Sequence, residues 1–220
     1  MSKLIVIAPV RKESERVKRK LLRPFAGSDL FTICAEKLAR LNVQTYIATC
    51  EEEFRAIAKH YDLLILERTR ESIESEKADI IHNYLRDVDA DIIFMVNPCC
   101  PLLRIETIES AIEATRVVAD GVLSVVECRR LIFDTNGNVV NRDPWVVNSK
   151  TMLPNYISAN AFLSFRRGFF LKNRQYWSFT RGNPERFSIS DVEATDIDTL
   201  HDFKKAEDLW WKTKCAAGRE

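Results

Sequence analysis

Residues 4–20 read LIVIAPVRKESERVKRK, an apolar and largely β-branched run followed at once by a basic segment. The run is apolar on consecutive residues, so both of its faces would be buried, which is typical of a central strand in a parallel sheet. In open α/β sheets, ligands bind beyond the carboxyl ends of the strands. We therefore predict that residues 11–20, called the basic loop below, form part of a ligand site.

Short apolar runs and amphipathic stretches keep alternating after this segment. They predict strands at residues 45–49, 63–66, 92–96 and 122–126, and helices at residues 30–41, 51–60, 75–86 and 105–119. Alternating strands and helices joined by right-handed crossovers predict a doubly wound, mostly parallel sheet. We expect a single α/β domain over residues 1–220, with a Rossmann-like sheet flanked by helices.

The alternation stops near residue 127. Asn136 and Gly137 stand between two apolar runs, a pattern that predicts a hairpin excursion around residues 131–150. Beyond it we predict a strand at residues 157–165, a short strand ending at residues 196–198, and a C-terminal helix from Asp202 onward.

Composition limits the possible functions. The 220 residues are 46% hydrophobic and carry a formal net charge of +1, so overall charge does not favour a nucleic-acid partner. The six cysteines include no CxxC pair and no zinc-ligand spacing, which indicates reduced thiols. The apolar start is too short for a signal peptide and no later run could span a bilayer, so we expect a cytoplasmic protein without a membrane partner.

The basic loop lacks the glycine spacing of dinucleotide folds and of P-loops. What it offers is the pattern R-x-x-S-x-R-x-x-x-K, formed by Arg11, Ser14, Arg16 and Lys20. Guanidinium groups, a hydroxyl and an ammonium can surround a triphosphate and stabilise charge on a pyrophosphate leaving group. The alternative is a solvated basic loop with no ligand.

Two carboxylates at i and i+2, Asp196 and Asp198, stand near the end of the chain. In a strand they would point to the same face, and two hard oxygen donors suit Mg²⁺, which completes its shell with water and substrate phosphate. The alternative is that Asp198 or Thr199 caps the last helix. Asp202 is expected to support the start of that helix.

The turn NPCCPLLR, residues 97–104, follows the predicted strand at 92–96. Its prolines fix a turn that can present Asn97 and Cys99 to a ligand, or it is merely a strand-to-helix connection. No neighbouring base activates either Cys99 or Cys100, so we do not expect a nucleophilic cysteine.

Four segments in chain order resemble the sugar-acid cytidylyltransferases, the CMP-sialic acid and CMP-KDO synthetases. They are IAPVRKESERVKRK at residues 7–20, NPCCPLLR at residues 97–104, ISANAFLSF at residues 157–165 and TDIDTLHDFKKAE at residues 195–207. The resemblance spans nearly the whole chain. It implies a GT-A-like nucleotidyltransferase that transfers CMP from CTP to the anomeric hydroxyl of a sialic acid-like or KDO-like sugar acid and releases pyrophosphate, supplying surface polysaccharide or lipopolysaccharide synthesis.

The resemblance also implies roles for individual residues. Arg11 and Lys20 would be catalytic; Arg11, Ser14, Arg16, Lys20 and Cys99 would bind the nucleotide; Asn97 and Asn160 would bind the sugar acid; and Asp196 and Asp198 would hold Mg²⁺. Residues 128–156 would be a dimerisation insertion of a homodimer, in which Arg142 or Lys150 approaches the neighbour's sugar carboxylate.

The chain departs from the family pattern at several positions. Ser158 stands where the sialic-acid branch has arginine, Ala161 where it has glycine, Glu15 where it usually has a basic residue, and Leu21 where it has asparagine. A non-catalytic nucleotide- or sugar-acid-binding homologue is therefore the alternative function. A nucleic-acid module that uses the basic loop ranks last, because the rest of the chain is not conspicuously basic.

Overall fold

The computed structural model of the chain describes residues 2–75, 77–141, 152–180 and 182–217. Its strands are β1 (Leu4–Pro9), β2 (Pro24–Phe25), β3 (Ser28–Asp29), β4 (Thr45–Thr49), β5 (Leu64–Glu67), β6 (Ile92–Val96), β7 (Val122–Cys128), β8 (Asn155–Arg166) and β9 (Glu185–Ser188). Its α-helices are α1 (Leu30–Ala39), α2 (Glu52–His60), α3 (Arg70–Glu74), α4 (Ala78–Ile81), α5 (Ile105–Val117), α6 (Arg167–Asn173) and α7 (Leu200–Ala217). Among the described residues, no helix has the length and apolar character needed to cross a membrane.

Seven of the strands form one sheet in the order β5-β4-β1-β6-β8-β7-β9. β1 pairs in parallel with β4 and β6, β4 with β5, and β7 with β9, whereas β8 runs antiparallel between β6 and β7. The predicted α/β fold with a mostly parallel central sheet flanked by helices is confirmed. Since the carboxyl ends of β1, β4, β5 and β6 meet at one edge, the loops that follow them lie close together.

The apolar run of β1 lies at the centre of the sheet because both of its faces are covered. Val6 packs in the core layer that contains Phe31 of α1, whereas Ile7 packs in the layer that contains Phe170 of α6. Both β1 side chains are fully buried. Burial of one such side chain contributes about 1.5–3 kcal/mol, so β1 holds the basic loop on a rigid support.

Two predicted elements are wrong. The helix predicted at residues 75–86 is instead the short α4 and a 3₁₀ turn, Asn83–Arg86. Between them the buried His82 ring hydrogen-bonds the hydroxyls of Tyr84 and Tyr176, and this tertiary packing overrides the helical periodicity. Burial also lowers the pKa of His82 to about 3, so the ring is neutral.

The short strand predicted to end at residues 196–198 is also absent from the described residues. The Ile197 N–H donates to the Cys99 carbonyl, and the Asp198 N–H donates to the Asp202 carboxylate. A turn and a helix cap therefore satisfy this backbone in place of a strand ladder.

The predicted turn at Asn136 and Gly137 is present. The Asp134 carboxylate accepts hydrogen bonds from the backbone N–H groups of Asn136 and Asn138, and Phe133 forms an antiparallel bridge with Val139. Gly137 has a φ of 84°, a left-handed conformation that glycine adopts without steric cost. The rest of the predicted excursion, residues 142–150 with Arg142 and Lys150, lies outside the described residues.

Candidate active site

A cavity of about 620 Å³ opens at the carboxyl edge of β1 and β6. We call it the central cavity. It is lined by the nine residues predicted to bind the nucleotide, the sugar acid or the metal within one chain: Arg11, Ser14, Arg16, Lys20, Asn97, Cys99, Asn160, Asp196 and Asp198. The assignment of these residues to phosphate, sugar and metal stays a prediction, but the fold brings all of them together.

The basic loop meets the acidic pair directly, although 182 positions separate Arg16 from Asp198 in the chain. The Arg16 guanidinium lies 2.7 Å from the Asp198 carboxylate. The Lys20 ammonium lies 3.5 Å from the same carboxylate and donates to the Ile197 carbonyl. Only 12% of the Lys20 side chain is exposed, so its charge is held in one place.

Arg11 extends toward another wall of the central cavity. Its guanidinium approaches the Ile73 carbonyl at 3.4 Å, in the short helix α3. The neighbouring residues Glu74 and Ser75 also line the cavity. The cationic groups of the basic loop thus face both the acidic pair and the α3 wall.

Lys12 has a structural role that the sequence did not reveal. Its backbone N–H donates to the Glu51 carboxylate, and its ammonium pairs with Glu53. Glu51 is itself fixed by the Thr49 hydroxyl at the end of β4. The start of α2 therefore anchors the basic loop and uses one of its positive charges to do so.

The last helix is capped by Thr199 and Asp202. The Asp202 carboxylate accepts from the Thr199 N–H at 2.8 Å, and the Thr199 hydroxyl accepts from the Asp202 N–H at 3.2 Å. This reciprocal arrangement is a capping box. The prediction that Thr199 caps this helix is confirmed, whereas the carboxylates of Asp196 and Asp198 take no part in the cap.

The two oxygens of the Asp196 carboxylate differ. Oδ2 accepts a hydrogen bond from the Asn160 side chain at 3.0 Å, whereas Oδ1 is buried and has no partner among the described residues. Burial raises the pKa of Asp196, and the neighbouring Asp198 adds to that rise. A buried carboxylate oxygen without a partner, next to a second carboxylate, fits a hard divalent cation.

Such a cation would need further ligands from outside the protein. The described residues contain no group of three or more His, Cys, Asp or Glu side chains that could enclose a metal. This suits Mg²⁺, which keeps several waters and binds substrate phosphates. Arg16 and Lys20 both contact Oδ1 of Asp198, so Asp198 would offer its other carboxylate oxygen, Oδ2, to such an ion.

Asn160 lies in an irregular part of β8. The register between β7 and β8 shifts from Leu123 opposite Leu163 to Val125 opposite Ser158, so β8 carries extra residues there. Asn160 has a φ of 52°, a strained conformation of the kind that persists at functional sites. The bulge directs its side chain toward Asp196.

Asn97, which is predicted to bind the sugar acid, makes structural hydrogen bonds with both ends of its side-chain amide. Its side-chain nitrogen donates to the Asn160 carbonyl at 2.9 Å, and its side-chain oxygen accepts from the Cys99 N–H at 3.0 Å. Asn97 therefore already shapes the turn after β6. That turn is held further by the half-buried Lys37, whose ammonium donates to the Pro101 and Leu103 carbonyls.

The thiols of this turn are poor nucleophiles. Burial raises the pKa of Cys99 to about 11 and that of Cys100 well above its ordinary value. Both thiols are protonated at neutral pH, and only a thiolate is strongly nucleophilic. Cys99 faces the central cavity as a neutral group.

Arg68 is a cavity residue that the sequence reasoning missed. It follows β5, and its buried guanidinium donates to the carbonyls of Val10 and Ser72 at 3.2 and 2.8 Å. It thereby ties the beginning of the basic loop to α3. The rule that ligands bind beyond strand ends, applied to β5, would have found it.

A family model described as Cytidylyltransferase matches residues 5–215 of the chain. The chain is also similar to a CMP-N,N'-diacetyllegionaminic acid synthase of Legionella pneumophila, with 25% identity over 155 residues. That alignment covers 63% of this chain and 66% of the relative, slightly less than two thirds of the relative's length.

Two solved structures share the fold. A CMP:2-keto-3-deoxy-manno-octonic acid synthetase in complex with CTP superimposes with a TM-score of 0.70 and 14% identity, covering 96% of this chain and 100% of that one. A 4-diphosphocytidyl-2C-methyl-D-erythritol synthase of Anaerococcus prevotii gives a TM-score of 0.66 and 12% identity, with 96% of each chain covered.

Proposed function

The chain belongs to the cytidylyltransferase family, and we propose that it transfers CMP from CTP to the anomeric hydroxyl of a 2-keto-3-deoxy sugar acid, with release of pyrophosphate. The product would be an activated sugar for surface polysaccharide or lipopolysaccharide synthesis. One observation carries the proposal: the basic loop and the pair Asp196 and Asp198 line the same central cavity. A related synthase that acts on a legionaminic acid supports a sugar acid as the acceptor.

The reaction needs positioning and electrostatic stabilisation more than covalent catalysis. CTP brings a crowded polyanion, and charge grows on the pyrophosphate oxygens as they leave. In this proposal Arg11, Arg16 and Lys20 bind the phosphates and stabilise that charge, while the Ser14 hydroxyl donates to them. The Cys99 thiol takes no covalent part, because burial keeps it protonated.

Asp196 and Asp198 would hold Mg²⁺ in this proposal. When bound, the ion would neutralise phosphate charge and orient the triphosphate. Arg16, which pairs with one oxygen of Asp198 in this structure, has further N–H groups that would bind a phosphate oxygen. Asn160 keeps the Asp196 carboxylate oriented throughout.

A screen of pyrophosphate release tests the function. CTP, UTP, ATP and GTP are each incubated with KDO and with sialic, legionaminic and pseudaminic acids, with and without Mg²⁺. We expect release only with CTP, Mg²⁺ and at least one of these acids. Magnesium-dependent CTP binding without release under any condition would instead identify a non-catalytic homologue.

The proposed enzyme acts as a homodimer. Large apolar side chains are exposed in and beside the excursion after β7, among them Phe133 at 59%, Val140 at 60% and Leu153 at 85%. Exposed apolar side chains concentrated in one segment favour a protein interface, and a second copy of the chain would cover them. Residues 128–156 would then be the dimerisation insertion.

Light scattering coupled to size-exclusion chromatography tests the dimer. We expect wild-type protein at twice the chain mass of 25.4 kDa, and a monomer for the double variant Phe133→Asp with Val140→Asp. The control Val117→Asp changes a side chain that is 85% exposed at the end of α5 and should remain dimeric. A fully active wild-type monomer would contradict the proposal.

A further inference from the structure

A second cavity of about 470 Å³ adjoins the central cavity. We call it the side cavity. It shares Asn160 and Asp196 with the central cavity and is otherwise formed by the end of β7, the first half of β8 and the segment before Asp196. Its charged residues are Glu127, Arg129, Arg130, Asp191 and Asp196.

The shared residues relate the two cavities to the proposed chemistry. In-line displacement at phosphorus places the attacking oxygen and the leaving oxygen on opposite sides of the phosphorus. If the pyrophosphate lies against the basic loop in the central cavity, the acceptor must approach from another direction. The side cavity provides such an approach, and it reaches the metal-binding candidate Asp196 directly.

Arg129 is already committed to contacts within the protein. Its Nε donates to the Glu127 carboxylate at 2.6 Å, and its Nη1 donates to the Met152 carbonyl at 2.6 Å. The charges of Arg129 and Glu127 therefore largely cancel. This pair fixes the backbone just after β7, and Arg130 directly follows Arg129 there.

Arg130 is the other cationic residue in the described lining of the side cavity. Its backbone carbonyl accepts a hydrogen bond from the Asn141 side chain, which fixes the backbone at this point. Within the described parts of the chain, its guanidinium has no hydrogen-bond acceptor and no ion-pair partner, and the residue is exposed. A guanidinium in a cavity wall presents paired N–H donors that match a carboxylate.

The acidic residues of the side cavity limit the ligand that fits. Asp196 would be neutralised by a cation, whereas Asp191 remains as an exposed acceptor for hydroxyl or amide N–H groups. Glu127 is paired with Arg129. The side cavity thus suits a polar molecule with hydroxyl or amide donors and one carboxylate, which Arg130 would bind.

We propose that the side cavity is the acceptor subsite and that Arg130 binds the carboxylate of the sugar acid, an inference that rests on the proposed function. Ser158, on the wall of the same cavity, has a short side chain that leaves room for the sugar ring. The preference of the enzyme for a sugar acid over a neutral sugar would then depend on Arg130.

Calorimetric titration of the full chain tests this proposal without turnover. The protein is saturated with Mg²⁺ and the α,β-methylene analogue of CTP, which cannot release pyrophosphate. N,N'-diacetyllegionaminic acid and its uncharged carboxamide are then titrated separately. We expect wild-type protein to bind the acid at least about tenfold more tightly than the carboxamide, as for a charge-assisted bidentate contact.

The variant Arg130→Gln should lose this preference to within about twofold, because the carboxylate loses its charged partner. The control Arg116→Gln changes an exposed arginine of α5 that lines neither cavity, and should keep the wild-type preference. Arg130→Gln with an unchanged preference would overturn the proposal, as would wild-type protein that binds neither compound or both equally. The proposed function fails by a different result, the absence of pyrophosphate release from CTP.

Discussion

Replacing Lys20 with alanine is expected to lower kcat for pyrophosphate release by about 10²–10³-fold, the usual effect of removing one preorganised donor from a developing oxyanion. Lys20 is the cation of the basic loop held most firmly, since its side chain is only 12% exposed and touches both the Ile197 carbonyl and Asp198. Folding should change little, by about 1–2 kcal/mol at most for the lost contacts. Steady-state kinetics and thermal unfolding measure the two effects separately.

Lys18→Ala is the matched control for this variant. Lys18 belongs to the same loop and carries the same charge, but it is exposed and does not line the central cavity. Its kcat should stay within about twofold of wild type, since general screening of an exposed charge has little effect at physiological salt. A wild-type rate for Lys20→Ala would remove Lys20 from the mechanism, and equal losses in both variants would indicate non-specific attraction of the nucleotide.

Asp198→Asn should raise the Mg²⁺ concentration needed for half-maximal activity by at least about tenfold, because even residues that only support a metal ligand contribute that much to affinity. A neutral amide also gives Arg16 no ion-pair partner. That pair is partly exposed, with 64% of Arg16 and 41% of Asp198 accessible, so its loss should cost at most about 1 kcal/mol of stability.

Direct binding separates a metal ligand from a residue with another role. Titration with Mn²⁺, followed by electron paramagnetic resonance in the presence of CTP, should show weaker binding in Asp198→Asn than in wild type. Asp208→Asn, at an exposed position of α7, serves as the control and should bind Mn²⁺ as wild type does. An unchanged Mn²⁺ affinity for Asp198→Asn would show that Asp198 is not a metal ligand. Its role would then be limited to its ion pairs with Arg16 and Lys20.

The sequence predicted the central part of the fold because its signals are local and strong. Two strands, Thr45–Thr49 and Ile92–Val96, were predicted to the residue, since each is a short run of apolar and β-branched residues bounded by polar ones. The rule for strand ends then placed the basic loop and the turn after β6 at one edge. The proximity of Arg16 and Asp198, which lie near opposite ends of the chain, was predicted from the family resemblance and not from periodicity.

What the sequence could not predict depends on tertiary contacts. The interruption of the predicted helix at His82 depends on hydrogen bonds to two tyrosine hydroxyls, one of them 94 positions away. The structural uses of Lys12 and Asn97 depend on partners from other elements, Glu51 and the Asn160 carbonyl. Side chains with hydrogen-bonding groups can serve structure or substrate, and only their surroundings decide between the two.

One measurement tests the central claim most directly: an anomalous difference map from crystals grown with CTP and Mn²⁺. We expect one manganese peak between the carboxylates of Asp196 and Asp198 and the CTP phosphates, with Arg11 and Lys20 against those phosphates. A triphosphate bound away from the basic loop, or manganese bound to the triphosphate without either carboxylate, would contradict a single metal–nucleotide site in the central cavity.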